Sequence, residues 1–433
     1  MNVRLVATDA SIRPSDPPPT HDSITSRRPN VDTVSGLDEE RGLAVVPWRS
    51  ATLYVILACS LMGVMGVSLV SPVLPDLRPV FGVTDAQVGL VITAYTLPGV
   101  VVTPFVGLVA DRFGRRRVVV PLLVLFAVAG AGVAFARTFA EVIALRFLQG
   151  VGASALITLA VTLIGDVYDG SRRDAVMGVN GSTIGTGAAF YPLLGGALAG
   201  IRWSAPFLFF GVGALVGLFA AVALVEPDAE RSTDVRTYLG RLRAVAVLPR
   251  ALAVFVALFA AFVIFYGAVL TALPLLLRDA YALGTGRIGA ILSAVALASA
   301  AVSSQYGRLS DRFRPSQLVA VGFVAYGLGL FGVRLSPSPL AVAASLLVFG
   351  VGFGVVMPSI DTTVVTLVDD DLRAGVMGLR TSVLRLGQTL GPVAFTVTAD
   401  LGFADTVAGY RVLLVVAGVV AVLGGGGYLL LSR

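Results

Sequence analysis

"GLVADRFGRRR" (residues 107–117) returns 200 residues later as "GRLSDRFR" (307–314). Gly107 recurs as Gly307, Asp111 as Asp311, Arg112 as Arg312 and Phe113 as Phe313. The surroundings make the echo informative. Hydrophobic residues form 56% of the 433-residue chain and charged residues 13%, against roughly 45–50% and 25% in soluble domains. Apolar runs of about twenty residues flank each copy, long enough to cross a hydrocarbon layer ~30 Å thick. The composition reads as a polytopic all-α membrane protein, with each charged phrase on a turn between two spans.

Twelve spans are expected, near 51–72, 87–109, 118–136, 140–165, 174–199 and 204–225, then 251–277, 287–307, 316–335, 339–366, 374–399 and 408–431. Residues 1–50 read as a disordered cytoplasmic tail, without the basic start and short apolar core of a cleaved signal peptide. Residues 226–250 read as a cytoplasmic linker between an N-terminal bundle (51–225) and a C-terminal bundle (251–433). All basic charge is arginine. With both ends of the chain inside, the internal loops hold fifteen arginines and the external loops seven, which places both termini in the cytoplasm of a cell-membrane protein. The net charge of +6 then points to anionic lipid headgroups rather than to nucleic acid.

The offset reaches beyond the opening phrase. Gly89 matches Gly289, "GVG" at 150–152 matches 350–352, Arg173 matches Arg373, and "VMG" at 176–178 matches 376–378. Gly187 matches Gly387 and Pro192 matches Pro392. Six spans is an even shift, so both halves insert the same way. The expectation is a parallel repeat with a substrate site between the halves near the midplane. Gly107 and Gly114 suit close approach and a tight turn. Asp111 is positioned to face the positive end of a helix in the other half, as a conformational latch.

On these residues the chain resembles the major facilitator superfamily, whose hallmark in this loop is Gly-x-Leu-Ala-Asp-Arg-x-Gly-Arg-Arg. Gly107, Ala110, Asp111, Arg112, Gly114, Arg115 and Arg116 match, Val109 takes the leucine position, and Asp311 marks the second copy. The resemblance runs from residue 50 to the end and implies a twelve-helix transporter that works as a monomer. Within it, "RFLQGVG" (146–152) is similar to the Arg-x-x-Gln-Gly motif, which implies proton coupling for Arg146; a hydrogen bond to a neighbouring helix is the other reading. Gly178, Gly187, Tyr191, Pro192, Gly195 and Gly196 resemble the antiporter signature of drug/proton exporters, with tyrosine where that signature has glycine.

Charges that break the repeat are the remaining candidates. Arg146 stands opposite Leu346, Asp361 opposite Val161, Arg380 opposite Asn180 and Arg385 opposite Gly185. Asp361 lies roughly 12 Å from the cytosolic boundary, Arg380 about 10 Å and Arg385 about 18 Å, at 1.5 Å per residue. The expected proton carrier is Asp361, paired with Arg385 and, second in order, Arg380. Phe255, Phe259, Phe262 and Tyr266 share a helical face, which lines either the cavity or the lipid. Met62, Met65, Tyr95, Gln149, Phe262, Tyr266 and Gln388 are the candidate substrate contacts.

The leading expectation is proton-driven efflux of small amphipathic compounds, with no cofactor. A sugar or metabolite symporter is the alternative, and a non-transporting receptor a further one. Cys59 and His21 are the only cysteine and histidine, which leaves no disulfide, no metal cluster and no side-chain set for a membrane enzyme.

Overall fold

Four of the apolar runs begin where a polar side chain closes the helix start. Ser50, Thr84, Thr138 and Ser338 accept the backbone N–H three residues on, which satisfies donors that a helix start leaves open. In a computed structural model describing residues 43–224, 249–367 and 373–431, twelve long helices follow one another. They are α1 Ala51–Phe81, α2 Asp85–Phe113, α3 Arg115–Phe135, α4 Phe139–Val167, α5 Gly170–Ile201 and α6 Ala205–Ala223. The second set is α7 Pro249–Tyr281, α8 Thr285–Ser303, α9 Pro315–Leu335, α10 Pro339–Thr366, α11 Arg373–Gly402 and α12 Thr406–Leu431. The expected tail up to residue 42 and the expected linker up to 248 lie outside the described residues.

Eleven of these helices are long and apolar enough to cross a membrane. The other is α11, 30 residues long, which carries Arg373, Arg380, Arg385 and Asp400. Helix α7 changes winding midway: Ile264–Ala272 is a π-helix, and the Thr271 hydroxyl donates to the Tyr266 carbonyl five residues back. Such bulges free backbone groups and gather at functional sites.

The contact pattern is the same in both halves, six helices apart. Helix α3 packs on α4 and α6 as α9 packs on α10 and α12, and α1 packs on α5 as α7 does on α11. The repeated glycines explain the register. Gly150 lies against the Tyr95 carbonyl and Gly350 against the Val295 carbonyl. The Thr103 hydroxyl donates to the Ser154 carbonyl at 2.8 Å, and Ser303 to Gly354 at 2.9 Å. Each of these partners is also its counterpart's 200-residue mate. The halves meet along two seams, α2 with α11 and α5 with α8, again exchanged by the repeat.

A methyl group on Gly150 would overlap the Tyr95 backbone, whereas one on Gly107 would meet nothing within 4 Å. Gly150→Ala is therefore expected to cost roughly 1–3 kcal/mol by overpacking, read as a lower melting temperature in detergent. Gly107→Ala is expected not to lower it, although Gly107 belongs to the repeated phrase.

Candidate functional site

Twelve helices return both ends of the chain to one face, here the terminal face; the opposite one is the far face. The seams are tight near the far face and part toward the terminal one. On α2 and α11, Gly89 touches Thr396, Thr93 donates to the Thr389 carbonyl at 2.9 Å, and Gly99 meets Arg385. Beyond that level Gly107 and Gly378 have no neighbour within 4 Å of a built Cβ. On α5 and α8, Gly196 lies on the Thr285 backbone and Gly289 on that of Pro192, whereas Gly178 and Gly181 are open. The halves thus form a V, closed at the far face, with Arg385 at its apex.

Helices α10 and α11 of the C-terminal half carry an ion pair. Arg380 Nε donates to Asp361 Oδ1 at 2.5 Å, and the Asp361 side chain is 42% exposed. Sequence reasoning favoured Arg385 as the partner, and the structure corrects that order. Arg380 sits at nearly the same depth as Asp361, whereas Arg385 is about 7.5 Å further along the helix axis and ~140° around it. Arg385 instead reaches Gln388 at 3.1 Å, and Gln388 donates to the Tyr266 hydroxyl at 2.8 Å.

Arg146 is fully buried and its donors are used. It donates to the carbonyls of Val91 and Gly66 and to Gln149 Oε1, and its guanidinium lies 4.3 Å from the centre of the Tyr95 ring. Of the two readings of Arg146, the observed geometry is the hydrogen-bonded one: it ties α1, α2 and α4 together at a depth where an unsatisfied charge would be costly. Met62, Met65, Tyr95 and Gln149, candidates for a substrate wall, are buried inside this N-terminal half. Tyr95 and Gln149 serve the Arg146 knot, and Tyr95 also lies near Arg385 and Tyr266 of the C-terminal half.

The aromatic stripe of α7 faces inward. Phe255 and Phe262 are buried, while Leu252 and Val256 on the same helix are exposed. Phe262 and Phe265 join Phe353 of α10, the latter pair with centroids 4.4 Å apart, and Tyr266 lies beside both. Tyr266, Gln388 and Phe262 therefore stand with Arg385 near the apex. A lateral groove of about 650 Å³ between α2 and α4, lined by apolar side chains such as Leu90, Phe139 and Phe147, lies elsewhere.

The sequence profile of the Major Facilitator Superfamily matches residues 56–392, and again 255–433. The chain is a Major Facilitator Superfamily transporter. Its family places it among carriers of small molecules and not among enzymes. It is 26% identical to the bacillibactin exporter of Bacillus subtilis, over 76% of this chain and 85% of that protein. It is 28% identical to the quinolone resistance protein NorA of Staphylococcus aureus, over 39% of this chain and 43% of that protein. A solved bacterial homologue of the human lysosomal transporter Spinster, inward-facing and unoccupied, superposes with a TM-score of 0.75 at 18% identity, covering 89% of this chain and 97% of its own.

The transporter's sequence motifs fall at distinct places. In α5, Gly195 packs on the Leu69 carbonyl, Gly196 on α8, and Gly187 beside Leu61 and Tyr191, while Gly178 is open. Tyr191 is accommodated because it turns into its own half, where it is buried. In the α2–α3 turn, Gly114 has φ +99°, which glycine alone adopts readily. Arg115 Nε donates to Asp166 of α4 at 2.9 Å. Arg112 and Arg116 are exposed, as is Asp311, and the Asp111 side chain lies outside the described residues. The expected latch belongs to the terminal face, which is parted here.

What sequence reasoning missed is the closure of the far face. Arg78 of α1 grips Asp279 of α7 through two hydrogen bonds of 2.6 and 2.8 Å and also reaches Asp85 at 2.8 Å. In return Arg278 of α7 donates to Asp76 of α1 at 2.5 Å. The Tyr410 hydroxyl completes the cluster at Asp85, 2.9 Å away. A signal was available: Arg78 and Arg278 are 200 residues apart, each within two residues of an aspartate. Counting them only as loop charges hid their pairing.

Proposed function

We propose that this transporter is a proton-coupled exporter of small amphipathic compounds that works by alternating access. The observation that carries the reading is a carboxylate, Asp361, paired with Arg380 between the long helices α10 and α11 and only partly covered. Within this reading both termini are cytoplasmic, so the open face is the cytoplasmic one and the conformation is inward-open. Substrate enters from the cytoplasm or inner leaflet and meets Arg385, Gln388 and the α7 aromatic residues. Closure at the terminal face and rupture of the Arg78–Asp279 and Arg278–Asp76 pairs expose the same site to the outside. A proton then loads on Asp361 from outside and leaves it on return, and its charge state decides whether Arg380 is held. No cofactor enters this cycle.

The α5 motif on the seam and the likeness to the bacillibactin exporter support export over import. The test is transport in proteoliposomes with the terminal face outward, given an acidic lumen. An exporter accumulates substrate in the lumen as protons leave. Accumulation only with an acidic exterior would make the protein a symporter, and no gradient-dependent flux for any of a panel of amphipathic dyes would sink the proposal.

A further inference from the structure

The charges within the membrane-spanning part do not balance. Asp361, five residues before the end of α10, is held by Arg380. Arg146 is fully buried and satisfied by carbonyl oxygens and Gln149. Arg385 is left over. Its one side-chain partner is the neutral amide of Gln388, and its Nε is buried with no acceptor. Across the seam it touches Gly99 of α2 and lies near the hydroxyl groups of Tyr95 and of Tyr266 on α7. No acid faces it from any of these helices.

Arg385 is half-buried, with its Nε covered; a guanidinium partly withdrawn from water without a counter-ion is costly, and its planar fork fits an oxyanion best. The position adds to this. Arg385 sits where α2 and α11 part, at the end of the opening, with Phe262, Phe265 and Phe353 grouped beside Tyr266. We propose that the central site takes substrates through an acidic group, a carboxylate or similar oxyanion carried on an apolar ring-bearing body. The oxyanion docks on Arg385, with the Tyr266 hydroxyl as a second donor, and the ring lies against the α7–α10 aromatic group. This deepens the exporter reading and rests on it: the carrier selects organic anions rather than lipophilic cations.

Fluorescein and rhodamine 123 are xanthene dyes of similar shape and opposite charge, so they separate the two chemistries. Fluorescence polarisation with the purified protein in a neutral maltoside detergent is expected to show fluorescein binding at least ~10-fold tighter than rhodamine 123. Arg385→Gln should remove most of that preference and Arg385→Lys should retain much of it. Should Arg385→Gln fail to fold, displacement of fluorescein from the unaltered protein by 2-naphthoate but not by 2-naphthamide reads the same contact. Equal or tighter binding of rhodamine 123, undetectable binding of fluorescein, equal displacement by the amide, or a folded Arg385→Gln protein with unchanged preference would each overturn the proposal. Flux in proteoliposomes keeps the two readings apart. Fluorescein preference without gradient-driven flux leaves the anion site standing and removes the exporter; gradient-driven export of rhodamine 123 without that preference does the reverse.

Discussion

Asp361→Asn is expected to abolish accumulation driven by a pH gradient while leaving counterflow exchange at matched pH in place. Asparagine keeps the shape and a hydrogen-bond acceptor for Arg380 but cannot carry a proton. The surrounding chemistry offers no substitute: the chain has no lysine, its one histidine is His21, and arginine does not deprotonate in proteins. A tyrosine hydroxyl, with an ordinary pKa near ~10, loses its proton too reluctantly to cycle near neutral pH. Arg380→Gln makes the necessary comparison, because it removes the ion pair and keeps the carboxylate. It is expected to slow gradient-driven transport without abolishing it. Both variants are read by uptake of the same dye into proteoliposomes, with and without the gradient. Full gradient-driven accumulation by Asp361→Asn would remove Asp361 from the mechanism, and equal loss in both variants would make the pair structural.

Arg78→Gln is expected to open the far face. Arg78 makes three hydrogen bonds to two carboxylates, one of them across the boundary between the halves, and its side chain is 21% exposed. Ion pairs fully in water contribute about 0.2–1 kcal/mol, and truncating one partner of a buried pair costs ~3–5 kcal/mol. A partly buried, bidentate pair falls between them. A shift of about 1–3 kcal/mol corresponds to roughly a 5–150-fold change in the balance of the two conformations. A cysteine in place of Ser71 reports it, because Ser71 is buried and its hydroxyl donates to the Leu270 carbonyl of the other half. The native Cys59 is fully buried and silent toward a polar thiol reagent. Labelling of Ser71→Cys should speed up by that factor when Arg78→Gln is added. Exchanging the charges, Arg78→Asp with Asp279→Arg, should bring it back toward the parent rate. Unchanged labelling would mean that the glycine seams alone hold the far face shut.

The sequence by itself determined the twelve spans and the parallel repeat, and most span ends to within about four residues, although α1 runs on to Phe81 where 72 was expected. Those depend on apolar length, local capping groups and the same residues returning after 200 positions, all of which are visible along the chain. It also marked Arg146, Asp361, Arg380 and Arg385, because a charge inside an apolar run stands out without any knowledge of its neighbours. Which charge meets which was decided only by the tertiary structure. Asp361 and Arg380 lie on different helices, and their pairing depends on the rotation and depth of α10 against α11. Arg146 kept two readings, proton coupling or a bond to a neighbouring helix, until α1 and α2 supplied the carbonyls of Gly66 and Val91. The Arg78–Asp279 and Arg278–Asp76 pairs needed two loops from opposite halves to meet. One stretch of sequence carries the period of a helix but not its rotation against a partner, and a charge pair exists only once that rotation is fixed.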